Sequence, residues 1–204
     1  MECTEATTKT RGRPREFDPE KALACALRVF WERGYEGASM AELTEAMGIT
    51  KPSLYSCFGN KEALFKKALD VYERDKLAYI SKALAEPSAR MVAEKLLRGA
   101  LAIHCGTNDP QGCLGVVSMV SGGSEAESIR DHLIERRRSS EAAMIERFET
   151  ARREGDLPAS VDAGALARYL TTVLQGLQVK ARSGASCAEL ESVIDLTLAC
   201  WPAA

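Results

Sequence analysis

Aromatic side chains make up only 6% of this 204-residue chain, histidine occurs twice, and no apolar run approaches the roughly 18 residues of a membrane-spanning helix. Each scarcity excludes something. With two histidines in no triad spacing and no GxSxG, P-loop, HExxH or GxGxxG, no catalytic or nucleotide-binding constellation is recognisable, and neither enzyme activity nor a cofactor is expected. The seven cysteines are odd in number and contain no CxxC pair, which argues against a disulfide framework or a zinc knuckle and predicts free thiols. The first residues (Glu2, Thr4, Glu5, Lys9, Arg11) carry charge and hydroxyls where an export signal would be apolar, so a cytoplasmic location and no membrane partner are expected. No stretch alternates as a half-buried strand does.

What is present is helical periodicity almost throughout, enough chain for one ample domain or two small ones, and an uneven charge distribution. Lys+Arg 27 against Asp+Glu 29 looks wrong for a nucleic-acid binder, yet Lys9, Arg11, Arg13 and Arg15 concentrate positive charge in the leading segment. Residues 1–16 read as a flexible basic arm. Asp18 as N-cap and Pro19 open a first helix with Ala22, Leu23, Ala26, Leu27 and Phe30 inward, closed by Gly34. Ser39-Met40-Ala41-Glu42 has the form of a capping box, and a short helix runs to about Met47. Gly48 permits a sharp turn, Thr50 caps a third helix over Lys51–Phe58, and Leu54 and Phe58 share one face of it. Two short helices joined in this way form a helix-turn-helix signature. Lys61 to about Ala85 reads as one long helix, followed by helices over Ala89–His104, Cys113–Val120, Ser124–Glu154, Asp162–Arg182 and Cys187–Trp201.

Arg13-Pro14-Arg15-Glu16-Phe17-Asp18, the helix-turn-helix, and the run Gly48-Ile49-Thr50-Lys51-Pro52-Ser53-Leu54-Tyr55-Ser56-Cys57-Phe58-Gly59-Asn60-Lys61-Glu62-Ala63-Leu64-Phe65 together resemble the N-terminal domain of TetR-family transcriptional regulators. Cys57 departs from that pattern, in which an aromatic or histidine is common. The resemblance implies an all-α chain: a DNA-binding head over 17–62, joined by a long helix to an effector-binding and dimerisation body over 63–204. It implies a homodimer on a palindromic double-stranded operator, released by a small molecule. The residues agree with a major-groove helix, because Lys51, Pro52, Ser53 and Ser56 are small or polar while Leu54 and Phe58 are apolar. Tyr55, Thr50, Thr44, Ser39 and Lys61 are suited to phosphate oxygens, although Thr50 and Ser39 serve equally as N-caps and Tyr55 could bury its ring. Arg11, Arg13 and Arg15 stand where an arm reaches a minor groove.

The effector end is less legible. Tyr72, Tyr79, His104, Cys105, Cys113, Met119, His132, Met144 and Phe148 are candidates for a cavity lining, against the plainer reading that they are core. Leu166, Leu170, Val173, Leu174 and Leu177 form one stripe and Val193, Leu196 and Trp201 belong to another, both suited to a dimer interface or to an intrachain core. His104, Cys105 and Cys113 around one loop leave open a thiol- or metal-responsive repressor. A helical interaction protein without DNA binding is the remaining alternative, and the basic arm and the face at Thr50–Ser53 speak against it.

Overall fold

The computed structural model describes residues 17–105, 109–120 and 127–202. Arg11, Arg13 and Arg15 therefore lie outside the described residues. Among those described there are ten helices and no strand: α1 Pro19–Gly37, α2 Met40–Met47, α3 Lys51–Phe58, α4 Lys61–Lys76, α5 Tyr79–Leu84, α6 Ala89–His104, α7 Leu114–Val120, α8 Glu127–Arg153, α9 Ala163–Arg182 and α10 Cys187–Ala199. None is long and apolar enough to cross a membrane.

The helix starts are set by local chemistry. Asp18 Oδ1 accepts from the Glu20 amide at 3.0 Å, Asn60 Oδ1 from that of Ala63 at 2.8 Å and Asp162 Oδ1 from that of Ala165 at 2.8 Å. At α2 the box is reciprocal: the Glu42 amide donates to Ser39 Oγ at 3.1 Å and the Ser39 amide to Glu42 Oε2 at 3.0 Å. The Ser39 amide holds the Glu42 carboxyl below its ordinary range. Gly34 does interrupt α1 (φ 74°, ψ 176°), but one further turn follows it, to Gly37.

Two apolar cores result. The first gathers Phe30, Trp31, Tyr35, Leu43, Leu54, Phe58, Leu64, Phe65 and Tyr72, and it continues into the body through Leu114, Ile129 and Leu133. Its rings meet edge-on, Phe30 with Phe65 at 5.1 Å and Trp31 with Tyr72 at 4.8 Å. The second joins α6, α8, α9 and α10 around Leu96, Leu97, Phe148, Leu170, Ile194 and Trp201.

One expected long helix is two. Leu77 leaves helical geometry (φ −103°, ψ 5°), and the Ile80 amide turns back to the Leu77 carbonyl at 2.9 Å. The bend seats the Tyr79 ring directly on Gly99 of α6, where a Cβ would overlap ring carbons. Gly99→Ala is therefore expected to displace Tyr79 and cost about 1–3 kcal/mol, the range for overpacking. Thermal unfolding should show a lower Tm, and an unchanged Tm would contradict this seat.

Candidate DNA interface and ligand cleft

Helix α3 is amphipathic over only two turns, and its burial fixes which side faces out. Leu54 is fully buried and Phe58 nearly so, while Lys51, Pro52, Tyr55 and Ser56 are exposed; Tyr55 keeps 52% of its surface. Positions 51/55 and 52/56 are each four apart, so they form one outward face. Thr50 Oγ1 caps the helix, accepting from the Ser53 amide at 3.4 Å, and lies 3.0 Å from Ser53 Oγ. Both hydroxyls thus fix the start of α3 while remaining at its surface. Thr44, Thr50 and Ser53 line one notch of about 530 Å³ with Phe17, Glu45, Gly48 and Ile49.

Other candidates are more occupied. The Thr44 hydroxyl donates to the Met40 and Ala41 carbonyls, and Ser39 is committed to its capping box. Lys61 Nζ sits 4.6 Å above the Tyr35 ring. Lys67, not anticipated from sequence, reaches the Cys57 carbonyl at 3.4 Å and the Phe58 ring, placing a cation at the C-terminal end of α3.

A cleft of about 880 Å³ opens in the body between α4–α5, α8 and α9. Of the expected lining, Tyr79, Cys113, His132 and Met144 belong to it, with Leu77, Ile80, Leu84, Leu96, Leu174, Gln175 and Gln178. Tyr72, His104 and Phe148 do not line it, because each is buried in packed surroundings, and Met119 packs against the first core. The Tyr72 hydroxyl meets the Cys113 thiol and accepts from the Leu114 amide; burial, then the neighbouring thiol, pushes its pKa up. Within the cleft Arg136 is already spent: it pairs with Asp70 at 2.6 Å and with Glu73, and donates to His132 Nε2 at 3.2 Å. Burial, then Arg136, holds His132 below its ordinary pKa. The cleft wall is apolar with amides and hydroxyls, and among the described residues its charged groups are the carboxylates Glu73 and Glu135 and the already paired Arg136.

The cysteines correct one expectation outright. Cys105 and Cys187 form a disulfide, while Cys25, Cys57, Cys113 and Cys200 are free. The pair is 82 residues apart and meets only because α6 and α10 pack together. Cys105 therefore offers no thiolate to a metal or an electrophile in this state. Among the described residues no group of three or more His, Cys, Asp or Glu is placed to hold a metal ion.

Burial divides the residues of the expected dimer stripes. Leu166, Leu170, Leu177 and Trp201 are buried in the chain's own second core, so a partner could cover little of them, and Val173 and Leu174 pack at its edge. Val193 and Leu196 remain outward, 45% and 67% exposed, joined by Tyr169 and Val179. Helices α9 and α10 are apolar on two faces, and the longer leucine stripe belongs to the inner one.

Sequence reading missed the joint between head and body. The Trp31 indole donates to the Gly112 carbonyl at 2.6 Å, and Arg182, ending α9, donates to the Glu32 carbonyl of α1 at 2.7 Å and to that of Gln111 at 3.3 Å. Lys76 pairs with Asp109 in the same segment. Gly112 at φ 87° was the available signal, a glycine whose conformation other residues rarely adopt.

A capped two-helix reader with an outward polar face, carried by a helical body with its own cleft, defines a helix-turn-helix DNA-binding regulator. Comparisons agree. Residues 22–68 match the model of bacterial regulatory proteins of the tetR family, and residues 94–196 match a tetracyclin repressor-like C-terminal domain. The transcriptional repressor ComR of Escherichia coli (strain K12) is 33% identical over 98% of this chain and 97% of its own. The repressor BdcR of the same organism is 29% identical over 92% and 90%. A cysteine mutant of the TetR family regulator CifR, solved on 26-bp double-strand operator DNA, is 43% identical with a TM-score of 0.88, covering 94% of this chain and all of that one. This chain belongs to the tetR family, whose members are sequence-specific DNA-binding transcriptional regulators and not enzymes.

Proposed function

We propose that the protein is a dimeric repressor whose residues 17–62 read a palindromic operator and whose remaining helices sense a small organic effector and pair the two copies. The observation that carries this reading is the outward face of α3, where Lys51, Tyr55 and Ser56 stand free while Leu54 and Phe58 anchor the helix from behind. Thr50, Ser53, Pro52 and Lys61 border that face; Ser39 and Thr44 support it from α2. The likeness to a chain solved on operator DNA supports taking the described arrangement as the operator-competent one. Dimerisation through Tyr169, Val179, Val193 and Leu196 is supported by their shared exposure on the outer face of α9 and α10.

The test is selection of operator from a random duplex pool, followed by mobility shift across a salt series. Two heads making six or more phosphate contacts should lose about a thousandfold in affinity between about 50 and about 200 mM salt. Salt-independent or absent retention of every duplex would refute the reading.

For the effector, the cleft favours an amphipathic compound without negative charge, since Asp70 and Glu73 already neutralise Arg136 and Glu135 adds a further carboxylate to the wall. Such a compound releases DNA only if it binds the non-operator geometry more tightly. A second reading, a thiol-reactive effector captured by Cys113 alone, is favoured by the free thiol on the cleft wall. It is further supported by the cysteines replaced in the CifR neighbour, whose mutual spacings equal those of Cys105, Cys113 and Cys187.

A further inference from the structure

Charge around the cleft does not balance. Its wall carries the carboxylates of Glu73 and Glu135, and among the described residues Arg136 is the one Lys or Arg that lines it. Asp70, which does not line the cleft, adds a third carboxylate at 2.6 Å from Arg136. Arg136 is thus held twice, by Glu73 on the cleft side and by Asp70 outside it, while Glu135 pairs with nothing among the described residues. Removing one partner of an ion pair is costly when it strands the other charge. Here it strands none, because Asp70 keeps Arg136 paired if Glu73 turns to another cation. The Glu73 and Arg136 side chains keep only 32% and 34% of their surface, so water screens charge there less than on an open face. Leu77, Ile80, Leu84, Leu96, Met144 and Leu174 make the rest of the wall largely apolar, and about 880 Å³ has room for a sizeable organic body.

We propose that the cleft takes an organic cation, an apolar body bearing a protonated amine, whose ammonium claims Glu73 in the field of Glu135 while Arg136 falls back on Asp70. The inference rests on the reading of this cleft as the effector site. Carboxylate-bearing compounds are turned away, since they meet a surplus of like charge. The exchange also reaches the head. Asp70 and Glu73 belong to α4, which starts directly after α3, and α8 holds α4 at two places: Ser128 donates to Glu62 at 2.8 Å, and Arg136 pairs with Asp70 and Glu73. A cation on Glu73 withdraws part of the second hold. Such a ligand binds the loosened geometry more tightly than the intact one, which is the condition for an effector to shift the equilibrium.

Calorimetric titration of the full chain with three probes of one shape, phenylbutylamine, phenylbutanol and phenylbutanoate, separates charge from fit. The amine should bind at least about tenfold more tightly than the alcohol, the effect of one close charge pair, and the acid more weakly than either. Glu135→Gln, at an exposed side chain, should shrink the amine's advantage and leave the Kd of the alcohol within about twofold. Glu73→Gln should abolish that advantage and let the acid bind as well as the alcohol. Arg136→Gln should tighten the amine further, because Glu73 is then vacant; a merely structural Arg136 would weaken all three probes alike. An amine that binds no more tightly than the alcohol, or a preference for the amine that survives Glu73→Gln, would overturn the proposal. Mobility shift on the selected operator is the separate readout, with release expected from the amine and not from the acid. Charge-selective binding with the operator fully retained at saturation would overturn the effector reading of the cleft and uphold its ligand chemistry.

Discussion

Leu196→Glu is expected to separate the protein into monomers and to reduce operator affinity by about two to four orders of magnitude, the advantage that linking two binding modules confers. Leu196 is the most exposed large apolar side chain described, at 67%, and Val193 lies one turn before it. On α9, Tyr169 and Val179 face outward, and at Gly176, on the turns between them, an added Cβ would meet nothing within 4 Å. An apolar surface spanning two adjacent helices is costly to leave in water, and a two-fold axis lets one patch cover its own copy. A glutamate near that axis sets two carboxylates against each other at a desolvated surface. The fold should be indifferent, because substitution at so exposed a site leaves the intrachain cores untouched. Sedimentation would report the mass and mobility shift the affinity. A persistent dimer with native affinity would place the interface elsewhere.

That prediction uses a face the sequence singled out only in part, through Val193 and Leu196, and the reason is physical. Helical periodicity in α9 is legible, but a stripe of Leu166, Leu170, Val173, Leu174 and Leu177 does not say whether a neighbouring helix or a second copy covers it. Ends of helices were readable for the opposite reason: Asp18, Ser39 and Thr50 satisfy amides two or three residues away, so cap and helix lie in one short window. The break between α4 and α5 contains neither Gly nor Pro; it exists because Tyr79 must reach Gly99, twenty residues on. The disulfide and the grip of Arg182 on Glu32 are more distant still, closing separations of 82 and 150 residues. Five of the nine anticipated cavity residues lie outside the cleft lining, two of them for a related reason. Tyr72 and Phe148 have the size of pocket residues, but both are buried, packed edge-on against Trp31 and Trp201.

Tyr55→Ala and Lys51→Ala should each weaken operator binding by about ten- to a hundredfold, since every substitution counts once in each half of a symmetric complex at about 1 kcal/mol or more per contact. Their signatures should differ. Lys51 is an exposed ammonium for which no ion-pair partner stands among the described residues, so its removal should weaken all duplexes alike and lower the salt slope by about one per head. Tyr55 carries no charge, so its loss should leave the slope nearly unchanged. Neither substitution should move Tm, because Leu54 and Phe58, not these two, seat α3 in the core. A variant that loses affinity and stability together would mean that the side chain packs instead of reading DNA. Unchanged affinity in both would mean that a different face of α3 enters the groove.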